Sequence, residues 1–228
     1  MRAVTLSEPK VIDVLKEQFV CGWRNIQGQE AYAGKSHDHP VASTALQTSN
    51  GSGGRNVQML FISPSGNVLH CLPGYWDPDG MMHEIEFILE LAKLEASDLP
   101  LLEKRDQFQL SHLNHAAHHS EQMVADSYLQ GFDKMREEKQ QGSDFRRKTD
   151  GDVIRTVDQV MHERMARRPM ISIEQFDIGK VVDYGTRFYD KGGDGCCDLD
   201  KGNPTAPKRK KPSVGGYKKS GGWKKSGG

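Results

Sequence analysis

The chain has 228 residues, enough for one large domain or two small ones. It is 36% hydrophobic, 27% charged and 7% aromatic with a mean hydropathy of -0.68, polar enough that part of it is expected to be tail or solvated helix. No apolar run approaches the ~18 residues of a membrane-spanning helix, no signal-peptide h-region follows the start MRAVTLSEPK, and four cysteines are too few for a disulfide scaffold. The net charge of +0 hides an asymmetry: eight of the 31 basic residues lie in 208–228 without any acid, which leaves 23 basic against 31 acidic residues and a net charge of −8 over 1–207.

Residues 7–19 read as a helix, with Ser7 as N-cap, Pro9 in the first turn and Val11, Ile12, Val14, Leu15 and Phe19 at helical spacing. Phe19–Ile26, rich in β-branched and aromatic residues, reads as a strand, and 27–55 as a loop ending in Ser49-Asn-Gly-Ser-Gly-Gly54. Two strands follow, Asn56–Ile62 and Asn67–Leu72, joined by Ser63-Pro-Ser-Gly66, a connection suited to a hairpin turn. Asp77 and Pro78 open a helix whose apolar stripe is Met81, Ile85, Ile88, Leu89 and Ala92. Beyond Ser97 the pattern is helical. One segment is expected from Pro100 to about Lys139, burying Leu102, Phe108, Leu113, Ala117, Val124, Tyr128, Phe132 and Met135, with Gly131 able to bend it. After a polar connector, 139–152, a second helix spans Val153–Arg167 with Val153, Ile154, Val157, Met161 and Met165 inward and Pro169 at its end. Residues 170–190 carry enough apolar surface to dock, through Phe176, Val181, Val182, Tyr184, Phe188 and Tyr189. From Lys191 the Gly-, Pro- and Lys-rich composition predicts disorder.

The helix Ser7–Gln18 running into Phe19-Val20, the hairpin with its Ser-Pro-Ser-Gly turn, Gly74-Tyr75 after it and the final amphipathic helix together resemble the later part of the thioredoxin-like fold. The resemblance covers about the first 95 residues. It implies an α/β sheet-and-helix domain over 1–97, N-terminally truncated unless Arg2–Leu6 supplies the first strand, followed by a helical extension over 98–190 and a disordered basic tail over 191–228. Members of that superfamily carry a Cys-x-x-Cys at the start of the first helix, where the helix dipole lowers one thiol's pKa for attack on a disulfide. Here no Cys-x-x-Cys exists, and Gly53-Gly54-Arg55-Asn56 stands where the usual cis-proline would be. The expectation is therefore a redox-inactive domain that serves as a protein-interaction platform. The alternative is a thiol–disulfide oxidoreductase whose motif lies upstream of Met1.

Three groups of residues carry candidate chemistry. Cys21 and Cys71 fall on predicted strands of the same sheet, as a redox pair or as buried small hydrophobes. His112, His115 and His119 stand at i, i+3 and i+7, within about 60° of one another and opposite Leu113 and Ala117. Imidazoles in that register can chelate Zn²⁺, Ni²⁺ or Cu²⁺, with His37, His39 or Cys71 completing the shell, and the bland alternative is a polar, histidine-rich helix face. Cys196 and Cys197, set among three aspartates in a flexible segment, could take a soft metal or form an intermolecular disulfide. The tail holds a repeat, Tyr217-Lys-Lys-Ser-Gly-Gly and Trp223-Lys-Lys-Ser-Gly-Gly, after the cluster Lys208-Arg-Lys-Lys211. Aromatic rings for stacking beside Arg209, Lys208, Lys210, Lys211, Lys218, Lys219, Lys224 and Lys225 suit a polyanion: nucleic acid, anionic lipid or a cell-wall polymer. Phosphate-loop, Gly-x-Ser-x-Gly and His-Glu-x-x-His motifs are absent, and His162-Glu163 lacks the second histidine of the last.

Overall fold

One hairpin and three helices, drawn from distant parts of the chain, surround a shared interior. The structure is a computed structural model and describes residues 4–25, 57–74, 76–127, 129, 134, 137–147 and 153–184. The chain divides into two units, Met1–Gly192 and Gly193–Gly228, and the second lies wholly outside the described residues.

The hairpin forms as its turn predicts. Strands β1, Gln58–Ile62, and β2, Val68–Pro73, pair antiparallel with Leu60 opposite Cys71 and Phe61 opposite His70. The Gly66 N–H donates to the Ser63 carbonyl at 2.9 Å, Gly66 adopts φ 89, and the register shifts between Phe61 and Ile62. A glycine in left-handed geometry after a tight turn produces such a bulge. The free edge of β2 is covered by the C-terminal segment: the Val68 N–H donates to the Ile171 carbonyl at 2.9 Å, and the Ile173 N–H to the Gly66 carbonyl at 2.8 Å. Among the described residues this sheet has two strands.

Helix α1 spans Pro9–Gln18 and buries Val11 completely. Glu8 occupies its N-cap position; Ser7, expected there, sits in the 3-10 turn Thr5–Ser7 before it. The expected strand after α1 is not formed in its described part. Phe19–Asn25 joins no ladder, and its apolar content is partly spent on Phe19, which packs edge-on against Phe61 at 5.5 Å, while Val20 and Trp23 are exposed.

Helix α2, Pro78–Ala96, starts as read: the Asp77 carboxylate accepts the Asp79 and Gly80 N–H groups at 2.9 and 3.0 Å. Met81, Ile85 and Ile88 are buried, and so are Phe87, Leu91 and Glu84. The end of α2 holds the hairpin turn through Glu95, whose Oε1 accepts from Ser63 Oγ at 3.1 Å, from Asn67 Nδ2 at 2.8 Å and from Ser65 Oγ.

The long helix expected over 100–139 breaks early. Helix α3 covers Leu101–Ala117, and a short α4, Glu121–Asp126, restarts with Ser120 accepting the Met123 N–H at 3.2 Å. Val153 and Ile154, read as the first turn of the next helix, instead form strand β4, Val153–Ile154, paired with β3, Arg146–Arg147. Helix α5, Val157–Ala166, begins behind Thr156, which makes a reciprocal capping box with Gln159. The docking expected after it is seen: Phe176, Val181, Val182 and Tyr184 are buried around α6, Ile178–Val181. Arg164 fastens this segment, with Nη1 donating to the Val181 and Asp183 carbonyls at 2.7 and 2.9 Å. The buried hydrophobic residues form a single cluster from Val11 to Tyr184, to which both the 1–97 and the 98–190 segments contribute.

Candidate metal centre

Helix α3 carries two stripes, and of the residues expected inward the structure buries Phe108 but not Leu102, Leu113 or Ala117. Phe108 and His112 are completely buried, and His115 continues their face at i+3; Leu102 and Leu113, expected inward, are 73% and 39% exposed, and Ala117 is exposed too. The polar stripe can turn inward because three other elements meet it with groups of matching chemistry. Strand β2 contributes His70, α2 contributes His83 and Glu84, and α5 contributes Asp158 and His162 four residues apart on one face. His119 follows just beyond the end of α3. Six imidazoles and two carboxylates thus converge in the interior, with His70, Glu84, His112, Asp158 and His162 each at most 1% exposed.

Glu84 is the centre of the cluster. Its Oε1 lies 3.1 Å from His115 Nε2 and 3.0 Å from His119 Nε2, and its Oε2 lies 3.2 Å from His70 Nε2 and 3.5 Å from His162 Nε2. Asp158 faces two of the same rings, through Oδ2 to His119 Nδ1 and through Oδ1 to His162 Nε2 at 3.5 Å. Rings fill the remaining space: Phe87 stacks on His115 at 4.0 Å, His83 on His115 at 4.6 Å and His70 on His162 at 4.5 Å.

The hydrogen bonds orient these rings in a definite way. His112 Nε2 lies 3.1 Å from the Leu69 carbonyl, which only accepts, so that nitrogen carries the proton. A neutral His112 then accepts through Nδ1 from His162 Nδ1–H at 2.9 Å. The other nitrogen of His162 is left pointing at Glu84 and Asp158. Likewise Asp158 Oδ2 takes the Nδ1–H of His119 and leaves its Nε2 pointing at Glu84. His119, with its far nitrogen on a carboxylate and its near nitrogen aimed into the polar interior, is arranged as metal-ligating histidines are, and the imidazole of His112 holds His162 in the same way.

Seven buried side-chain atoms lack a hydrogen-bond partner among the described residues, and all belong to this cluster: His70 Nδ1 and Nε2, His83 Nδ1, Glu84 Oε2, His119 Nε2, Asp158 Oδ1 and His162 Nε2. Each buried polar group left wholly without a partner costs about 1–3 kcal/mol. Five of the seven face an ion-pair partner at 3.0–3.5 Å, and His70 Nδ1 and His83 Nδ1 have neither kind of partner among the described residues.

Electrostatics points the same way. Burial drives His70 down to about 4, and burial with the neighbouring His70 and His162 charges lowers His112 well below its usual range. Burial lowers His115 as well. Burial also opposes charge on His119 and His162, yet Asp158 and Glu84 raise them to about 9 and about 10. The carboxyls of Glu84 and Asp158 are lowered by these rings against the opposing effect of burial. Two protons therefore balance two buried carboxylates. A divalent cation among neutral imidazoles balances them equally well, and it engages the lone pairs that protons leave misaligned.

Of the histidines singled out from sequence, His112, His115 and His119 are brought together here, with His112 serving to orient His162. His70, His83, Glu84, Asp158 and His162 were missed. The available signal was a charged residue inside an apolar stripe: Glu84 between Met81 and Ile85, and Asp158 and His162 among Val157, Met161 and Met165. Cys21 and Cys71 are not joined. Cys21 is an exposed free thiol outside the sheet, whereas Cys71 is a fully buried free thiol pushed up to about 12 by burial. His37, His39, Cys196, Cys197 and the tail residues from Lys208 to Lys225 lie outside the described residues. Among the described residues no helix is long and apolar enough to cross a membrane.

The fold and site define a mixed α/β protein with a histidine- and carboxylate-lined interior. No protein-family model, curated protein or solved structure matches the chain.

Proposed function

We propose that this chain is a metalloprotein that holds a divalent first-row transition ion in the cluster around Glu84. The observation that carries the reading is that every buried side-chain atom without a hydrogen bond among the described residues belongs to this one cluster. Three overlapping groups have ligand atoms within 4.8 Å of one another: His83, Glu84, His115 and His119; His70, His112 and His162; and Glu84, His119, Asp158 and His162. The donors are nitrogen and oxygen without thiolate. Imidazole suits zinc, iron, nickel and copper, and the carboxylates extend the set to manganese. The interaction surface implied by the thioredoxin-like resemblance, and polyanion binding by the tail, are separate proposals for other parts of the chain.

The test is the metal content of the full chain purified without chelator, compared with a His119→Ala, His162→Ala double variant. At least one tightly held transition ion per wild-type chain, reduced in the variant, is expected. A wild type that holds no more metal than the variant would refute the reading.

A further inference from the structure

We infer that the cluster is a two-ion centre in which Glu84 is shared, one carboxylate oxygen to each ion, an inference that rests on the metal reading and deepens it. The two oxygens face different partners. Oε1 is 3.1 Å from His115 Nε2 and 3.0 Å from His119 Nε2, and His83 lies within 4.8 Å of this set with its Nδ1 unpartnered. Oε2 is 3.2 Å from His70 Nε2 and 3.5 Å from His162 Nε2, which is itself 3.5 Å from Asp158 Oδ1. Ligand atoms bound at 2.0–2.1 Å around a tetrahedral ion lie about 3.4 Å apart. The distances of the two Glu84 oxygens to these imidazole nitrogens, 3.0–3.5 Å, are close to that spacing before any ion enters.

One ion does not satisfy both sets. His83, His115 and His119 with Oε1 already fill a tetrahedral shell, which leaves His70, His162, Asp158 and Oε2 unengaged on the other side of the same carboxylate. A second ion uses them. Paired ions in shared-ligand sites sit about 3.5–4 Å apart, a separation that one bridging carboxylate spans. The remaining polar contacts support both halves, since His112 fixes the ring of His162 while Asp158 orients His119 through Oδ2 and offers Oδ1 to the other ion. The group of His70, His112 and His162 does not by itself hold the second ion, because both nitrogens of His112 are taken. Two dications against two carboxylates leave positive charge for a small anion. The His83–His115 edge, where the His115 side chain is 12% exposed, is the side from which one can arrive.

The experiment uses the full chain carrying Cys196→Ser and Cys197→Ser, so that tail thiols add no ion, and its His83→Ala and His70→Ala derivatives. Each is stripped with chelator, reloaded with cobalt(II), desalted and assayed for metal per chain and for electron paramagnetic resonance intensity per ion. Two ions are expected in the parent and one in each derivative, and the parent's intensity per ion should fall on filling from one equivalent to two. A single ion in the parent, or two ions whose signals simply add, overturns the shared centre and leaves the metal reading standing. No bound ion in the parent overturns both. The parent alone decides the matter should either derivative fail to fold.

Discussion

Glu84→Gln is the most informative single substitution in the protein. It preserves the shape of the side chain but removes the charge and turns one acceptor into a donor beside four imidazole nitrogens 3.0–3.5 Å away. In the wild type, an ion supplied at a hundred times its dissociation constant stabilises the folded state by about 2.7 kcal/mol. For a unit of this size each kcal/mol moves Tm by about 2–4 °C, so zinc buffered at that level should raise Tm by about 5–11 °C. Loss of an outer-shell partner already weakens metal binding about 10–100-fold, and Glu84 is placed as a direct ligand, so a loss of at least ~100-fold is expected. At the same free zinc the variant then gains about 0.4 kcal/mol or less, a shift of about 1–2 °C. The assay is a thermal melt followed by circular dichroism in buffered zinc and again in chelator, which also shows whether the metal-free variant folds. His115→Gln, at the partly exposed edge, is the companion should Glu84→Gln not fold. A Glu84→Gln shift within 2 °C of the wild-type shift would refute the reasoning.

Three other outcomes follow from the structure. The metal-free chain should be most stable near pH 6.5: His119 and His162, raised by Asp158 and Glu84 against burial, contribute fully below 6.5 and lose that contribution progressively as pH rises from 6.5 to about 9 and 10, while His70, lowered by burial to about 4, opposes folding as pH falls below 6.5. Urea unfolding in chelator from pH 4 to 10 checks this, and stability still rising at pH 10 would contradict it. In the folded chain at pH 8, a thiol alkylating reagent should label exposed Cys21 and leave Cys71 unmodified, because Cys71 is buried and pushed up to about 12; peptide mass spectrometry reads the two sites separately. Gly66→Ala should cost about 1–2 kcal/mol in urea unfolding, since Gly66 holds φ 89 although nothing lies within 4 Å of an added Cβ; an unchanged midpoint would show that the turn can relax.

Local chemistry made much of the fold legible. Ser63–Gly66 specified its hairpin, Asp77-Pro78 opened α2, and Met81, Ile85, Ile88, Val157, Met161 and Met165 marked the buried faces. On α3, where two faces competed, the reading held for Phe108 and failed for Leu102, Leu113 and Ala117. Leu102 and Leu113 outweigh His112 and His115 in any hydrophobic ranking, but ranking cannot see partners. His115 meets a carboxylate 31 residues away and His112 meets His162 across 50 residues, and such separations leave no local trace. The clue lay on the partner helices, where a buried carboxylate is tolerated only with compensation, so Glu84 and Asp158 implied cationic or metal-bearing neighbours. Phe19–Asn25 failed for a different reason: strand composition makes no strand without an edge to pair with.

The orientation of α3 bears on what holds the protein together. Turning Leu102, Leu110 and Leu113 outward leaves apolar surface in water, and turning His112 and His115 inward removes polar groups from it. Both changes oppose folding of the metal-free chain, so the orientation must be secured by what the histidines find inside. Glu84 and Asp158 supply part of that, through pairs that burial makes expensive to form. Bound ions would supply the rest by engaging the atoms that the pairs leave misaligned. On the proposed metal reading, metal binding is also folding energy for α2, α3, α5 and β2. On the same reading, stripping the metal should loosen the packing of α3 before it disturbs the hairpin, whose turn is held independently through Glu95.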